Sequence, residues 1–244
     1  MGPGQDQREY QEWAAPVALR DSVVCLWAGR AVRDSETLVL PDGCCDLIWE
    51  RGKGAFVAGP DTGPAPASAA AGTVTFGVRF RPTAGGPAFG LPLSELRDQR
   101  VDLADLRPAD AKRLTGTLDL KTAMTRMADL AGRLVSDGPP DAAMMYAARL
   151  LYDPRARSAD VAAELELSAR QFRRRCHETI GYGPKTLQRI LRFRRFVSRI
   201  DTGDRDLATI AADAGYADQA HLTRECAELS GLTPTALARL RSAA

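Results

Sequence analysis

The chain has 244 residues, of which 45% are hydrophobic, and this is enough for the packed core of one large domain or two ordinary ones. No apolar run has the length needed to cross a bilayer, and the first residues, MGPGQDQREYQEW, are polar and acidic, unlike a signal peptide. The five cysteines form no CxxC pair, which is typical of a protein in a reducing compartment. We therefore expect a cytoplasmic protein without a membrane partner.

The formal net charge of +2 conceals a division along the chain, because residues 1–150 carry a charge of −2 and residues 151–244 a charge of +4. Between Leu167 and Arg199 there are ten basic residues and one acid, Glu178. A positive patch of this density is expected of a phosphate-binding surface. The alternative is a merely solvated helix face, which usually mixes both signs.

The first part of the chain has the composition of β-strands. The runs VVCLW (23–27), CCDLIWE (44–50), GAFVAG (54–59) and TVTFGVRFRP (73–82) are rich in β-branched and aromatic residues and are bounded by Pro, Gly and Asp. These runs predict a small β-barrel or sandwich within residues 1–107. The stretch 59–72, GPDTGPAPASAAAG, is expected to be a mobile loop.

The remainder of the chain has helical periodicity. Residues 109–135 and 141–152 predict two helices of a connector that spans 108–152, and residues 153–244 predict short helices joined by tight turns. The sequence therefore predicts an α+β protein with a β-rich domain, a helical connector and an all-α domain.

An internal repeat with an offset of fifty residues marks the all-α part. SARQFRRRCHETIGYGP (168–184) aligns with DQAHLTRECAELSGLTP (218–234), and an alanine-rich apolar stretch precedes each copy, at 161–167 and 210–217. Each copy predicts a helix, a tight turn and a second helix, which is the arrangement of a helix-turn-helix unit.

The helical period indicates which side of each second helix is buried. Phe172, Cys176 and Ala169 share one side in the first unit, and Leu222 and Cys226 share it in the second. The caps follow the same plan in both units: Ser168 and Asp218 are expected at the N-caps, Gly181 and Gly231 at the C-terminal ends, and Pro184 at the start of the next helix.

The opposite side of each second helix is free to enter a major groove, where arginine can donate to both O6 and N7 of guanine. In the first unit Arg170, Arg173 and Arg174 are the candidate base readers, and Arg175 lies on the flank, where a phosphate or solvent is its expected partner. In the second unit the outward residues include Thr223 and Arg224.

Between the two units, residues 184–200 predict a basic amphipathic helix. A rigid helix of this length would let the units enter successive grooves about ten base pairs apart.

These residues, and IAADAGYADQAHLTRECAELSGLTPTAL in particular, resemble the DNA-binding domain of AraC/XylS-type transcription regulators over roughly 156–241. LPDGCCDLIWE, FVAGPDTGP and GVRFRP look like the cupin-like sensor domain often fused to such regulators, whose ligand is generally not known. The resemblance implies double-stranded promoter DNA as the partner. A small-molecule effector, a homodimer and, for an activator, RNA polymerase are further candidate partners.

Together, the helical geometry and the resemblance assign the DNA contacts to one set of residues. The set is Ser168, Arg170, Arg173, Arg174, Arg175, His177, Lys185, Arg192, Gln219, Thr223 and Arg224.

Two features depart from the pattern of that family. Cys176 and Cys226 stand where a buried phenylalanine is usual, so both cores are expected to be looser or differently filled. Glu166 stands at the turn of the first unit, where glycine is common and where the second unit has Gly215. A positive φ at Glu166 would store strain of order 1 kcal/mol or more.

The β-rich part offers little for catalysis. Both histidines, His177 and His221, lie in the all-α part, so no His-built metal site is expected in the β-rich part, and no phosphate loop, Ser-His-Asp set or Rossmann fingerprint is present. We expect no cofactor, no metal and no enzymatic activity.

Two alternative functions remain. One is a DNA-repair type of enzyme that carries a similar DNA-reading domain, and the other is a scaffold whose basic face binds an acidic protein.

The signal is expected to act through the β-rich domain. Trp27, Trp49 and Arg79 could line a pocket for an amphipathic small molecule, although core packing is the simpler role for each tryptophan. Cys44 and Cys45 are expected to point to opposite faces of a strand, one of them inside. Simple burial is the plain interpretation of both thiols; the alternative is that one of them, with Cys25, senses an oxidant, an electrophile or a soft metal.

Overall fold

A computed structural model describes residues 8–202 and 206–242, and it confirms the α+β arrangement, with a β-sheet part followed by helices. No helix in these two stretches is long and apolar enough to span a membrane. The strands of the first part are β1 (Arg8–Ala14), β2 (Val23–Ala31), β3 (Ser35–Val39), β4 (Cys45–Glu50), β5 (Gly54–Ala58), β6 (Ala65–Ala69), β7 (Val74–Phe80) and β8 (Arg100–Asp102).

The strands pair antiparallel in two sheets. Six of them form a sheet in the order β1-β2-β7-β4-β5-β8, and β3 pairs with β6 in a smaller sheet. The expectation of a loop throughout 59–72 is therefore wrong, because β6 lies within it. Its sequence, APASA, has neither the alternation nor the β-branched residues of a strand, and Pro66 is tolerated because β6 has a strand on one side only.

One face of the large sheet forms one side of the first hydrophobic core. Leu47 and Trp49 of β4 and Phe76, Val78 and Phe80 of β7 are fully buried on it. Two helices cover this face and join the same core: α1 (Gly85–Phe89) and α4 (Leu120–Asp137). Two short helices, α2 (Leu103–Leu106) and α3 (Pro108–Ala111), lie between them in the chain.

A second hydrophobic core holds the remaining helices together. They are α5 (Ala142–Leu151), α6 (Ser158–Glu164), α7 (Ala169–Ile180), α8 (Pro184–Asp201), α9 (Leu207–Ala214), α10 (Gln219–Ser230) and α11 (Pro234–Ser242). The segment expected as a connector is divided between the two cores, since α4 packs in the first and α5 in the second.

The two units of the repeat have matching structures. The Ser168 hydroxyl accepts a hydrogen bond from the Gln171 backbone N–H in a capping box, and the Asp218 carboxylate accepts one from His221 N–H at 2.7 Å. Gly181 and Gly231 end α7 and α10 with φ of 95° and 70°. Phe172, Cys176, Leu222 and Cys226 are buried as expected, so the cysteines do fill positions in the core.

One expected core residue is exposed. Ala169 has the angular position of the buried side, but it is the first residue of α7 and lies one turn before Phe172, at the uncovered end of the helix.

The turn of the first unit carries the expected strain. Glu166 has φ of +55°, whereas Gly215 takes φ of +91° at the same point of the second unit. Glycine adopts this region without steric strain, whereas in other residues the strain costs about 1 kcal/mol or more of stability. The Gly215 position is also crowded, because a β-carbon there would lie 2.3 Å from Cβ of Pro154.

Glu166→Gly is expected to raise the free energy of unfolding by about 0.5 to 1 kcal/mol, because it removes the strain of a positive φ. Gly215→Ala, at the equivalent turn, is expected to lower it by more than this amount. Thermal and urea unfolding measure both changes. Destabilisation by Glu166→Gly would contradict the strain at Glu166.

Candidate nucleic-acid interface

The exposed side of α7 carries three arginines. Arg170, Arg173 and Arg174 are all exposed, while Phe172, Cys176 and Ile180 hold the other side of the helix in the core. Arg174 Nε lies 3.6 Å from Glu178 Oε1, at the surface, where such a pair contributes little to stability. The three guanidinium groups can therefore leave this surface to meet a ligand at small cost.

The exposed side of α10 has the same place in the second unit and a lower charge. Gln219, Thr223 and Arg224 are exposed, and Leu222 and Cys226 are buried behind them. The Thr223 hydroxyl donates to the Gln219 carbonyl at 2.8 Å, so the hydroxyl hydrogen is already used within the helix. A threonine held in this way can still offer its methyl group to a thymine.

Arg175 has a partner inside the protein. Its guanidinium forms a hydrogen-bonded ion pair with Asp141, which is also the N-cap of α5 and accepts from Ala143 N–H at 2.9 Å. The expected phosphate or solvent partner is thus replaced by the carboxylate at the N-terminal end of α5, which lies 34 positions away in sequence. Arg175 fastens α7 to α5.

Arg192 is also engaged within the protein. Its Nη2 donates to Glu225 Oε1 at 2.6 Å and its Nε to Oε2 at 3.1 Å, and its guanidinium lies 5.1 Å from the Tyr216 ring centre. Glu225 is 7% exposed and also receives Arg189 at 3.3 Å. Burial alone would raise the pKa of Glu225, but the hydrogen bonds and charge of Arg192 and His221 hold it below its usual range. Arg192 therefore fastens α8 to α10.

These two ion pairs occupy equivalent places in the repeat. Arg175 and Glu225 are fifty positions apart. The second helix of each unit is therefore tied at the same point to the helix that precedes the unit, with the charges reversed.

The other residues expected to contact DNA differ in their exposure and in the hydrogen bonds they already make. Lys185 is exposed at the start of α8. The Ser168 hydroxyl is used in the capping box. His177 is half-buried, and burial, followed by the charges of Arg173 and Arg97, lowers its pKa. At neutral pH it therefore adds little positive charge to this surface.

The expected effector pocket is not formed by the residues assigned to it, because Trp27 and Trp49 lie on opposite faces of the large sheet. Trp49 is paired with Phe76, is fully buried in the core and donates to the Leu114 carbonyl at 3.1 Å. Trp27 is paired with Gly77 on the other face. Side chains alternate along a strand, so the register of β2, β7 and β4 separates the two rings.

Trp27 and Arg79 share a polar cluster on that other face. Trp27 Nε1 donates to Asp46 Oδ1 at 2.7 Å, and Arg79 Nε donates to the same oxygen at 3.3 Å. Arg79 also lies 3.7 Å from Asp42. Burial raises the pKa of Asp46 to about 6, although Arg79 opposes the shift. Gly77 makes room for the indole, since a β-carbon there would lie 2.1 Å from the ring.

The thiols of the β-sheet domain are all buried. Cys45 faces the core as expected, but Cys44 is also buried, at 4% exposure, because its turn faces Tyr182 and Arg194 of the helical part. Burial raises the pKa of both thiols well above the usual value and that of Cys25 to about 11. The thiolate form that a redox sensor needs is therefore disfavoured at all three positions.

A groove that the sequence did not reveal lies between the large sheet and the start of α4. It has a volume of about 780 Å³, and Trp13, Ala28, Val74, Leu120 and Met124 provide its apolar lining. Arg30, Arg51 and Glu9 are its charged residues. The polar sequence of β1 does not predict a strand, and the sequence pattern predicts that α4 belongs to a connector, so the pattern does not bring the two walls together.

Among the described residues no group of three or more His, Cys, Asp or Glu side chains is placed to hold a metal ion.

Arg192→Met is expected to lower the free energy of unfolding by about 3 kcal/mol, because it leaves the buried Glu225 carboxylate without its main partner. The double change of Arg192→Met with Glu225→Met should recover most of this loss. Lys185→Ala, on the same helix, is the control and should have an effect within about 0.5 kcal/mol. Urea unfolding measures all three, and an Arg192→Met cost no larger than that of the control would rule out the structural role.

Comparison with known proteins agrees with this division of the chain. Residues 161–240 match the family model of a helix-turn-helix domain, and residues 11–102 match a domain of unknown function, DUF6597. Among curated proteins, no sequence matches this chain.

Solved structures of ToxT from Vibrio cholerae are similar over nearly the whole chain. One, at 1.65 Å resolution, has 11% identity and a TM-score of 0.49 and covers 96% of this chain and 98% of its own. Another, ToxT with a bound unsaturated fatty acid, has 12% identity and a TM-score of 0.45, with 98% and 97% covered. Likeness at this level carries no functional inference for this chain. The helix-turn-helix match, together with the two units described above, shows that residues 161–240 form a helix-turn-helix domain, joined to an N-terminal β-sheet domain of a family without an assigned function.

Proposed function

We propose that this chain is an AraC-type transcription regulator and that it reads promoter DNA with the outward faces of α7 and α10. The observation that carries the proposal is that the residues at equivalent positions of the two helices are exposed, while their inward neighbours are locked in one shared core. An α-helix presented in this way fits the major groove.

The two helices are suited to different parts of an operator. Arg170, Arg173 and Arg174 give α7 three guanidinium groups, which favours a guanine-rich half-site. Gln219, Thr223 and Arg224 give α10 one charge and two neutral side chains, so its half-site should contain adenine and thymine contacts as well. Lys185 is the candidate phosphate contact, and Arg175 and Arg192 are no longer needed in that role.

The alternative functions have weaker support. A DNA-repair enzyme would need a reactive cysteine, and all five cysteines of the chain are buried. A scaffold that binds an acidic protein would need basic residues but no equivalence between two helices. The matched faces of α7 and α10 therefore favour a helical DNA ligand.

The regulatory signal, in our proposal, is a small molecule that occupies the groove between the large sheet and α4. The groove has an apolar lining on both walls, and Arg30 and Arg51 lie at its rim. This combination suits an amphipathic anion, whose apolar part is covered by Trp13 and Met124. A thiol-based signal is the weaker candidate, because burial keeps the cysteines protonated.

Arg170→Ala and Arg174→Ala are each expected to weaken operator binding by about 1 to 3 kcal/mol and to relax the preference at one guanine. Lys185→Ala is the matched control, since loss of a phosphate contact weakens all sequences alike and lowers the salt dependence. Selection from a random duplex library measures the preference. An unchanged sequence preference in both arginine variants would refute the base-reading role.

The anionic dye 8-anilinonaphthalene-1-sulfonate is expected to bind the groove with a saturable rise in its fluorescence. Arg51→Glu should weaken this binding about tenfold, because it replaces an attraction with a repulsion at the rim. Arg33→Glu, an equal charge change at an exposed position outside the groove, should leave it unchanged. Equal dye affinity in the two variants would remove the support for an anion site here.

A further inference from the structure

Residues 59–64, GPDTGP, form a short segment of the β-sheet domain that contains two Gly-Pro pairs four positions apart. We infer that this segment, here called the bridging segment, holds the two reading helices at a fixed separation and so determines which half-site spacing the protein accepts. The inference rests on the proposed reading of DNA by α7 and α10.

The bridging segment is held firmly on its own domain. Asp98 N–H donates to the Pro60 carbonyl at 3.2 Å, and the Asp98 carboxylate accepts from Thr62 N–H at 2.7 Å and from its hydroxyl at 2.9 Å. Arg100 donates two hydrogen bonds to the Asp61 carboxylate, from Nη1 to Oδ1 at 2.8 Å and from Nη2 to Oδ2 at 2.7 Å. Five hydrogen bonds over so few residues leave the segment little freedom, and it acts as a rigid projection.

Each Gly-Pro pair lies beside one helix-turn-helix unit. A β-carbon placed on Gly181 would lie 2.7 Å from Pro60 Cγ, and one placed on Gly231 would lie 4.0 Å from Pro64 Cγ. One placed on Gly63 would lie 3.8 Å from the Glu228 carbonyl oxygen, in the last turn of α10. Pro60 is therefore packed against the C-terminal end of α7, and Pro64 lies beside the C-terminal end of α10.

The two contact points are equivalent positions of the repeat. Gly181 and Gly231 are fifty residues apart, and both end a reading helix in the left-handed conformation. One rigid segment thus reaches equivalent positions of both units. The outward residues of α7 and α10 stay exposed, so the contact is compatible with DNA binding.

This contact adds a second fixed distance between the units. The helix α8 already links them on one side, and it packs against α7, α9, α10 and α11. A second connection at the helix ends restricts the remaining rotation about α8. Because a preorganised pair of readers loses less freedom on binding, the bridging segment should raise affinity for one spacing and reject others.

The test uses the full-length chain and an operator selected from a random duplex library with the unaltered protein. Fluorescence anisotropy then measures affinity for that operator, for versions with one to three base pairs added or removed between the half-sites, and for a duplex with one half-site scrambled. Two variants act on the segment by different routes. Pro60→Ala with Pro64→Ala removes the contacts with the helix ends, and Asp98→Gly releases Thr62 while keeping a residue that accepts the φ of +58°.

Pro66→Ala, in β6 and exposed, is the matched control. Both test variants should bind the selected operator about tenfold more weakly than the control and should show a flatter dependence on spacing, with unchanged affinity for the single half-site. A spacing profile like that of the control would overturn the inference. An equal loss on the single half-site would also overturn it, since the segment would then only stabilise one unit. Failure of the unaltered chain to select any operator would instead refute the proposed function, and this inference with it.

Discussion

The burial of one face of α8 is the constraint on which the DNA-binding part depends. Leu187, Ile190, Phe193 and Phe196 are all fully buried, and α8 contacts both helix-turn-helix units. A helix with this much apolar surface has to lie between two partners, which makes α8 the common core of both units. Its arginines are consequently confined to the flanks.

The flanking arginines of α8 find partners that tie the units to it. Arg192 pairs with Glu225 in α10, and Arg195 donates to the Ala214 carbonyl at 2.8 Å while stacking 4.8 Å from the Tyr152 ring centre. Arg194 instead reaches the β-sheet domain, where it donates to the Asp42 carbonyl at 3.2 Å. Positive charge that looks like one DNA-binding patch in the sequence is therefore divided between arginines that are paired within the protein and arginines that are exposed on α7.

The sequence predicted the repeat, the caps and, apart from Ala169, the buried sides of α7 and α10 correctly, because these depend on local periodicity and cap chemistry. It could not assign Arg175 and Arg192, because their acidic partners lie 34 and 33 positions away and only the packing of helices brings them together. The error over Trp27 and Trp49 has a similar origin. Alternation gives the relative faces of residues in one strand, whereas faces in different strands depend on register.

The β-sheet domain contacts the helix-turn-helix domain through two segments, and both are connected to the neighbouring strands β4 and β5. Arg79 lies between Asp46 and Asp42, and the turn that carries Asp42 contacts Arg194 and Tyr182. The bridging segment leaves the end of β5, next to β4 in the same sheet, and reaches both helix ends. A shift of β4 and β5 would therefore move both contacts together, which gives a direct physical link between the β-sheet domain and the placement of α7 and α10.

In our proposal, the two equivalent helices α7 and α10 enter successive major grooves on one side of the DNA. Methylation interference tests it directly, because a methyl group on guanine N7 blocks the major-groove contacts of an arginine. We predict two clusters of interfering guanines, their centres about ten base pairs apart, with the stronger cluster under α7. A single cluster, or two clusters about half a helical turn out of phase, would contradict the account.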